Sequence, residues 1–282
     1  MSLLLLKSYK EKIESALDKE FLFSNPLQRA MRYALLSGGK RIRPILTLMV
    51  ADALKHQLPV LQSALAVEFS HTASIIADDL PCMDDELKRR GRSCAHVEFG
   101  QATALLASYA LITAAYEKLV QNGQEMKDCG GKFANEAVCL AVALSSKASG
   151  CFGTTLGQQL DLFEKPDNIE AMNQLIYLKT VTLFEMAMQL GWIFGGGELE
   201  RVEEVKSASY HLGMAFQIRD DLLDHVEDEA RGCMSNFSVL VGKEEAMKRF
   251  FLETATFREK IAALDLYNDS FEVLLEALET SI

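Results

Sequence analysis

The chain has 282 residues, 49% of them hydrophobic, and a formal net charge of −11. An acidic excess of this size speaks against a general nucleic-acid binder, which needs a basic footprint. Six cysteines without a C-x-x-C pair speak against a zinc site and read as small buried apolar residues in a reducing compartment.

Taken in chain order, a first amphipathic helix is expected over 4–21, ending near Asn25-Pro26. Its apolar start, Leu3 to Leu6, is too short for a membrane span, and no basic stretch precedes it as in a signal peptide. No other segment reaches about 18 uninterrupted apolar residues, so a cytoplasmic protein without a membrane span is expected. A second helix covers 26–36 and stops at Ser37-Gly38-Gly39. Lys40-Arg41-Ile42-Arg43-Pro44 follows, then an apolar helix through Leu54. The glycines and Lys40 lack the phosphate-loop spacing and no strand precedes them, which leaves a basic cluster at a helix junction, either solvated surface or an anion site.

The helix over 61–80 carries His71 and ends in Asp78-Asp79 and Asp84-Asp85, two carboxylate pairs set among apolar residues. Desolvating four like charges costs several kcal/mol per ion unless a cation offsets it. Mg2+ held through carboxylates and substrate phosphates would do so. A solvated acidic turn is the plainer reading of this motif alone. His71 lies seven residues, about two turns, before Asp78 and shares its side, though a lone histidine in an apolar helix is more often a hydrogen-bonded core residue. Lys88-Arg89-Arg90-Gly91 comes next; its arginines either compensate charge or present forks that suit phosphate.

Helices are expected over 102–120 and 132–148, joined by a polar loop at 121–131, and over 153–163. Asn168 caps a long helix to Phe194, with Lys179-Thr180 in its middle. A buried mid-helix lysine should face a cavity or an anion. After the break at Gly195-Gly196-Gly197, a helix over 200–226 carries Phe216-Gln217-Ile218-Arg219-Asp220-Asp221-Leu222-Leu223-Asp224. Asp220 and Asp224 are i and i+4, and Gln217 joins their face. Two acidic motifs in apolar helices suggest facing walls of one metal–diphosphate site. The remainder, 244–282, reads as two polar helices. With no linker and few strand signals, an all-α single domain over 1–282 is expected.

With these motifs in order, the chain resembles the trans-isoprenyl diphosphate synthases of the polyprenyl synthetase family. Gly38-Gly39-Lys40-x-x-Arg43-Pro44 looks like the family's opening motif, and Asp78-Asp79-x-x-x-x-Asp84 with Arg89-Arg90-Gly91 like its first aspartate-rich motif. Lys179-Thr180 and Phe216-Gln217-x-x-Asp220-Asp221-x-x-Asp224 match its lysine–threonine pair and second aspartate-rich motif. The resemblance implies a bundle of long helices around a central cavity, a homodimer, and Mg2+, three per active site. It implies condensation of isopentenyl diphosphate with an allylic diphosphate through an allylic cation, giving geranylgeranyl diphosphate. Asp78, Asp84 and Asp220 would be the direct metal ligands, with Asp79, Asp85, Asp221 and Asp224 supporting them. Lys40, Arg43, His71 and Arg90 would hold isopentenyl diphosphate; Arg89 and Lys179 would hold the allylic diphosphate. Thr180 and Gln217, with the Lys179 carbonyl, would face the carbocation.

The chain departs from the family at Ser108-Tyr109, where Gly-Asp is usual, and Tyr109 could fill the product pocket. It departs again at 227–238, where Cys233, Met234 and Asn236 stand near the place of a diphosphate-binding lysine. Alternatives are a farnesyl diphosphate synthase, a terpene cyclase, a non-catalytic subunit of a prenyltransferase heteromer, and a calcium-binding structural protein. The basic residues Lys40, Arg43 and Arg90 disfavour the cyclase, intact aspartate motifs disfavour the silent subunit, and missing EF-hand spacing disfavours calcium. Ala73 and Ser74, small residues before Asp78, leave room for a growing tail, with Phe69 one turn further as its floor.

Overall fold

The computed structural model describes residues 2–22 and 25–280, with side chains from Leu6 onward. Its centre is the helix α10 (Thr182–Phe194), every residue of which is buried. A helix apolar on all sides must be covered on all sides. Here α3 (Ile42–Leu54), α4 (Leu61–Asp78), α7 (Ala134–Ser149) and α11 (Val202–Arg231) do so. The α3 backbone comes close enough that a Cβ on Gly191 would stand 2.4 Å from the Thr47 carbonyl oxygen. Thr47 Oγ1 meanwhile donates to Ala187 O at 2.9 Å.

Around this core the chain is all-α, as expected. Its strand content among the described residues is one hairpin, β1 (Lys88–Arg89) against β2 (Arg92–Ser93). Short helices begin where side chains cap them. Asn25 accepts from the Gln28 amide at 2.9 Å with Pro26 at the first position of α2 (Pro26–Leu35). Asn168 accepts from Ala171 N at 2.9 Å to start α9 (Ile169–Ile176).

Several sequence expectations need correction. The polar stretch 121–131 is not a loop: α6 (Gln101–Asp128) runs through most of it. The reason is that Asn122 and Met126 are buried, and Asn122 accepts from Ser63 N and donates to Pro59 O, both at 2.9 Å, holding the start of α4. The helix over 169–194 is interrupted by a π turn (Tyr177–Val181). The C-terminal helices α13 (Lys243–Ala263) and α14 (Asp269–Glu279) are not polar throughout; Phe250, Phe257, Ile261, Phe271 and Leu275 on them are fully buried. A five-residue helix, α12 (Phe237–Val241), precedes them. Of the six cysteines only Cys94 is buried, because most of the others lie in turns, at a helix end, or on the outer side of α7. None forms a disulfide.

One stretch, Ala134–Phe163, has the length and composition to cross a membrane. It is divided at 150–153 into α7 and α8 (Thr154–Phe163), each shorter than the roughly 20 residues a span requires.

Arg41 fastens the junction of α2, α3 and α4. It sits at a positive φ of 56°, is buried, pairs with buried Glu68 of α4 and donates to Leu35 O at 2.6 Å. Removing one member of such a pair leaves an uncompensated charge, which costs about 3–5 kcal/mol. Glu68→Ala should therefore lower unfolding stability in urea by about that amount. The double variant Arg41→Met/Glu68→Leu should recover most of it.

Candidate active site

The basic cluster at 37–43 lines a chamber of about 680 Å3 together with Glu68, His71, Arg90, Phe216 and Asp220. Arg43 lies 4.7 Å from the centre of the Phe184 ring, and its NH1 donates to His71 Nε2 at 3.4 Å. A guanidinium has no lone pair to offer, so Nε2 accepts and the imidazole proton sits on Nδ1. Burial, with Arg43, Arg90, Arg41 and Arg89 adding to it, holds His71 well below its ordinary pKa, so the ring is neutral. Burial also lowers Arg43, to about 10, which leaves it charged at neutral pH. Its buried Nε has no protein partner, as expected of a group facing an anion.

Arg89 and Arg90 diverge because the hairpin turns between them. Arg90 and Gly91 take φ of 54° and 77°, the left-handed pair a two-residue turn needs. Arg90 swings to Gly38 O, so close that a Cβ on Gly39 would overlap its guanidinium. Arg89 turns the other way and its Nε donates to Asp79 Oδ1 at 2.7 Å. Asp79 is buried and engaged by Arg89.

Asp78 ends α4, and the chain curls back so that Asp84 N donates to Asp78 O at 2.9 Å. Burial pushes Asp78 up to about 7, with Asp84 raising it further and Lys179 and Arg89 opposing. Gln158 on α8 donates to Asp84 Oδ1 at 3.2 Å. On α11, burial raises Asp220 against the pull of Lys40 and Arg219; Arg219 NH1 donates to its Oδ1 at 2.8 Å.

The π turn joins these walls. Lys179 pairs with Asp161 of α8 and also faces Asp78. Thr180 Oγ1 donates to Gln217 Oε1 at 2.8 Å, Gln217 Nε2 to Asp221 Oδ1 at 2.7 Å, and Phe237 N to Asp221 Oδ2 at 2.7 Å. A chain of hydrogen bonds thus runs from the π turn through α11 to α12. Asn236 Nδ2 and Ser238 Oγ each donate to Asp221 O at 2.8 Å. The turn's backbone is gripped closely: a Cβ on Gly157 would lie 2.4 Å from Lys179 N, and one on Gly213 3.0 Å from Val181 Cα.

The structure therefore brings Lys40, Arg43, His71, Arg90 and Asp220 around one chamber, and Asp78, Asp84, Lys179, Thr180 and Gln217 into one connected set. Tyr109 does not fill the space beside α4; it is 60% exposed, while Ser108 faces inward and donates to Ala73 O at 2.9 Å. Sequence reading places Asn236 only near the position of a diphosphate-binding lysine, and it passes over Gln158 and Asp161. Their only signal was a polar side chain in a mainly apolar segment.

The donor set suits a hard cation. Asp78, Asp84 and Asp220 offer oxygen alone, and Asp78 is a half-buried carboxylate whose pKa desolvation raises more than Lys179 and Arg89 lower it. No three such ligands converge among the described residues. Mg2+ binding by a few carboxylates plus substrate phosphates does not need them to, since the phosphates complete the shell.

Residues 24–232 match the family model described as polyprenyl synthetase. The chain is 36% identical over 276 residues to Geranylgeranyl pyrophosphate synthase 11, chloroplastic, of Arabidopsis thaliana, covering 94% of this chain and 74% of that one. It superposes with a TM-score of 0.82 on an FPP/GFPP synthase from Zymomonas mobilis, at 26% identity and 99% coverage of both chains. A geranyltransferase from Helicobacter pylori also gives 0.82, at 28% identity, covering 99% of this chain and 98% of that one.

Because folding raises the Asp78 pKa, the folded protein binds that proton more tightly than the unfolded chain between pH 4 and about 7. Stability of the metal-free protein should fall as pH rises through that window. Asp78→Asn should remove much of this fall, giving a higher melting temperature than wild type at pH 8 and little difference at pH 4.

Proposed function

As a member of the polyprenyl synthetase family this chain is a prenyltransferase, and we propose that it is a Mg2+-dependent trans-prenyltransferase. In this reading it joins isopentenyl diphosphate to an allylic diphosphate, giving geranylgeranyl diphosphate. The observation that carries the reading is the separation of two cationic sites. Arg43, Lys40 and Arg90 surround one chamber, while Lys179 and Arg89 stand beside Asp78 and Asp79. An enzyme that handled one diphosphate would need only the second set.

In this reading the chamber cations bind the isopentenyl diphosphate headgroup, and neutral His71 adds a hydrogen bond without repelling Arg43. Lys179 and Arg89 hold the allylic diphosphate; each already has a carboxylate partner, Asp161 and Asp79, that fixes its direction. Mg2+ on Asp78, Asp84 and Asp220 would supply Lewis-acid neutralisation of the leaving diphosphate. Thr180, oriented by Gln217, presents its oxygen to the developing allylic cation, and the apolar walls keep water away from it. One unit of positive charge is missing compared with the family pattern. Cys233 and Met234 occupy the loop after α11, so the departing diphosphate is held less tightly.

The exposed apolar residues Leu105, Leu106, Tyr109 and Val120 along α6 support a homodimer through that helix. Six cysteines without a disulfide suit a reducing, cytoplasmic setting.

Purified protein given isopentenyl diphosphate, Mg2+ and five-, ten- or fifteen-carbon primers should yield the twenty-carbon product. Asp78→Ala or Asp220→Ala should each cut turnover by at least ~10²-fold. Rates within tenfold of wild type for both would overturn the site.

Product length should be set along α4. Ala73 is buried, and one turn before it Phe69 is fully buried with its ring 5.5 Å from that of Phe21. Ala73→Phe should shorten the product and Phe69→Ala should lengthen it, as sized by chromatography of the hydrolysed prenols. A farnesyl product that neither substitution alters would place the floor elsewhere.

A further inference from the structure

The π turn that presents Lys179 and Thr180 contains one residue more than an α-helix would, and a single pair of side chains spans it. Tyr177 OH donates to Glu185 Oε2 at 3.3 Å, from the first residue of the turn to the first turn of α10. In an unbroken α-helix, residues eight apart point about 80° away from each other, whereas residues seven apart differ by about 20°. Inserting one residue gives Tyr177 and Glu185 the geometry of the seven-residue pair. The π turn thus brings the two side chains onto one face, where their hydrogen bond forms. The Thr182 amide bonding to Tyr177 O, five residues back, marks the same register.

The surroundings favour this pair. Glu185 is buried, and burial pushes its carboxyl up to about 7. Such a group costs free energy to bury unless it is paired. Lys206 of α11 faces both Glu185 and Tyr177, while Glu203 of α11 and Lys147 of α7 act on Glu185 from further out. The Tyr177 ring lies 6.1 Å from that of Tyr210, also on α11. None of these groups lines the basic chamber or touches the carboxylates of the two acidic motifs. Gly157 and Gly213 grip the turn by shape, but shape does not choose between a π and an α register at Tyr177.

We propose that Tyr177 and Glu185 form a latch across the π turn and act as positioning residues for Lys179 and Thr180. The latch keeps the extra residue in place, so that Thr180 meets Gln217 and Lys179 meets Asp161. This rests on the prenyltransferase reading for its kinetic consequence, though not for its structural one.

The test uses the full-length protein and the variants Tyr177→Phe, Glu185→Gln and Glu185→Leu. Amide hydrogen exchange in peptides covering residues 177–182 should speed up at least tenfold in Tyr177→Phe and Glu185→Leu, with the rest of the chain unchanged. Glu185→Gln retains an acceptor for the tyrosine hydroxyl and should stay near wild type. In steady-state assays kcat should fall about tenfold in the two latch-breaking variants, with little change in the KM for isopentenyl diphosphate. In a Thr180→Val background Tyr177→Phe should cost less than in wild type, because one of the two groups it positions is gone. Unchanged exchange overturns the latch whatever the activity. Fast exchange with full kcat, or an undiminished loss in the Thr180→Val background, overturns the positioning role. A wild-type protein that makes no prenyl product overturns the reaction instead, and exchange alone then decides the latch.

Discussion

The arrangement depends on one irregularity, the extra residue in the helix that enters the core at Tyr177–Val181. A regular helix would rotate everything before Val181 by about 100° relative to α10. Lys179 and Thr180 would then face other neighbours than Asp161 and Gln217. Two helices come near enough to the backbone of the turn that only glycine fits, at Gly157 and Gly213, which fixes where the turn lies. Thr182 adds a hydroxyl bond to Leu178 O at 2.9 Å, so a carbonyl displaced from the helical ladder keeps a partner. Single-turn π insertions in α-helices are frequent at functional sites.

Around that turn the electrostatics are divided. Burial raises Asp78, Asp220 and Asp221 together; nearby cations only partly offset it at Asp78 and Asp220, and hydrogen bonds from Phe237 N and Gln217 only partly at Asp221. A protein optimised for stability alone would not desolvate three carboxylates in this way. The cost makes sense if a divalent cation and a diphosphate complete the site. The cations are kept apart by a short hairpin, whose left-handed turn sends Arg89 to one side and Arg90 to the other. In the proposed reading this separation lets two diphosphates bind without sharing a guanidinium.

The region after α11 shows how the chain accommodates its departures from the family pattern. Asn236 and Ser238 tie the loop back to Asp221 O, and Asn236 also donates to Asp228 Oδ2 at 2.8 Å. Side-chain hydrogen bonds thus hold α12 in place and shape the second aspartate motif. The loop is built as a support for Asp221.

The all-α class, most helix positions, both acidic motifs and the residue types of the candidate site were legible in the sequence. Spacing on a helix fixes which side chains share a face, and apolar runs fix which helices are buried. It misplaced the helix around 121–128, because Asn122 reads as a loop residue until it is seen satisfying the start of α4. It read the cysteines as buried because composition reports a residue type and not whether that residue falls in a turn. Only the tertiary structure decided that the helix at 177–181 gains a residue, that Gln158 and Asp161 join the site, and that Arg89 and Arg90 part company. Those features arise from contacts between segments far apart in the chain, where backbone approach at a glycine or a single long-range hydrogen bond outweighs local propensity.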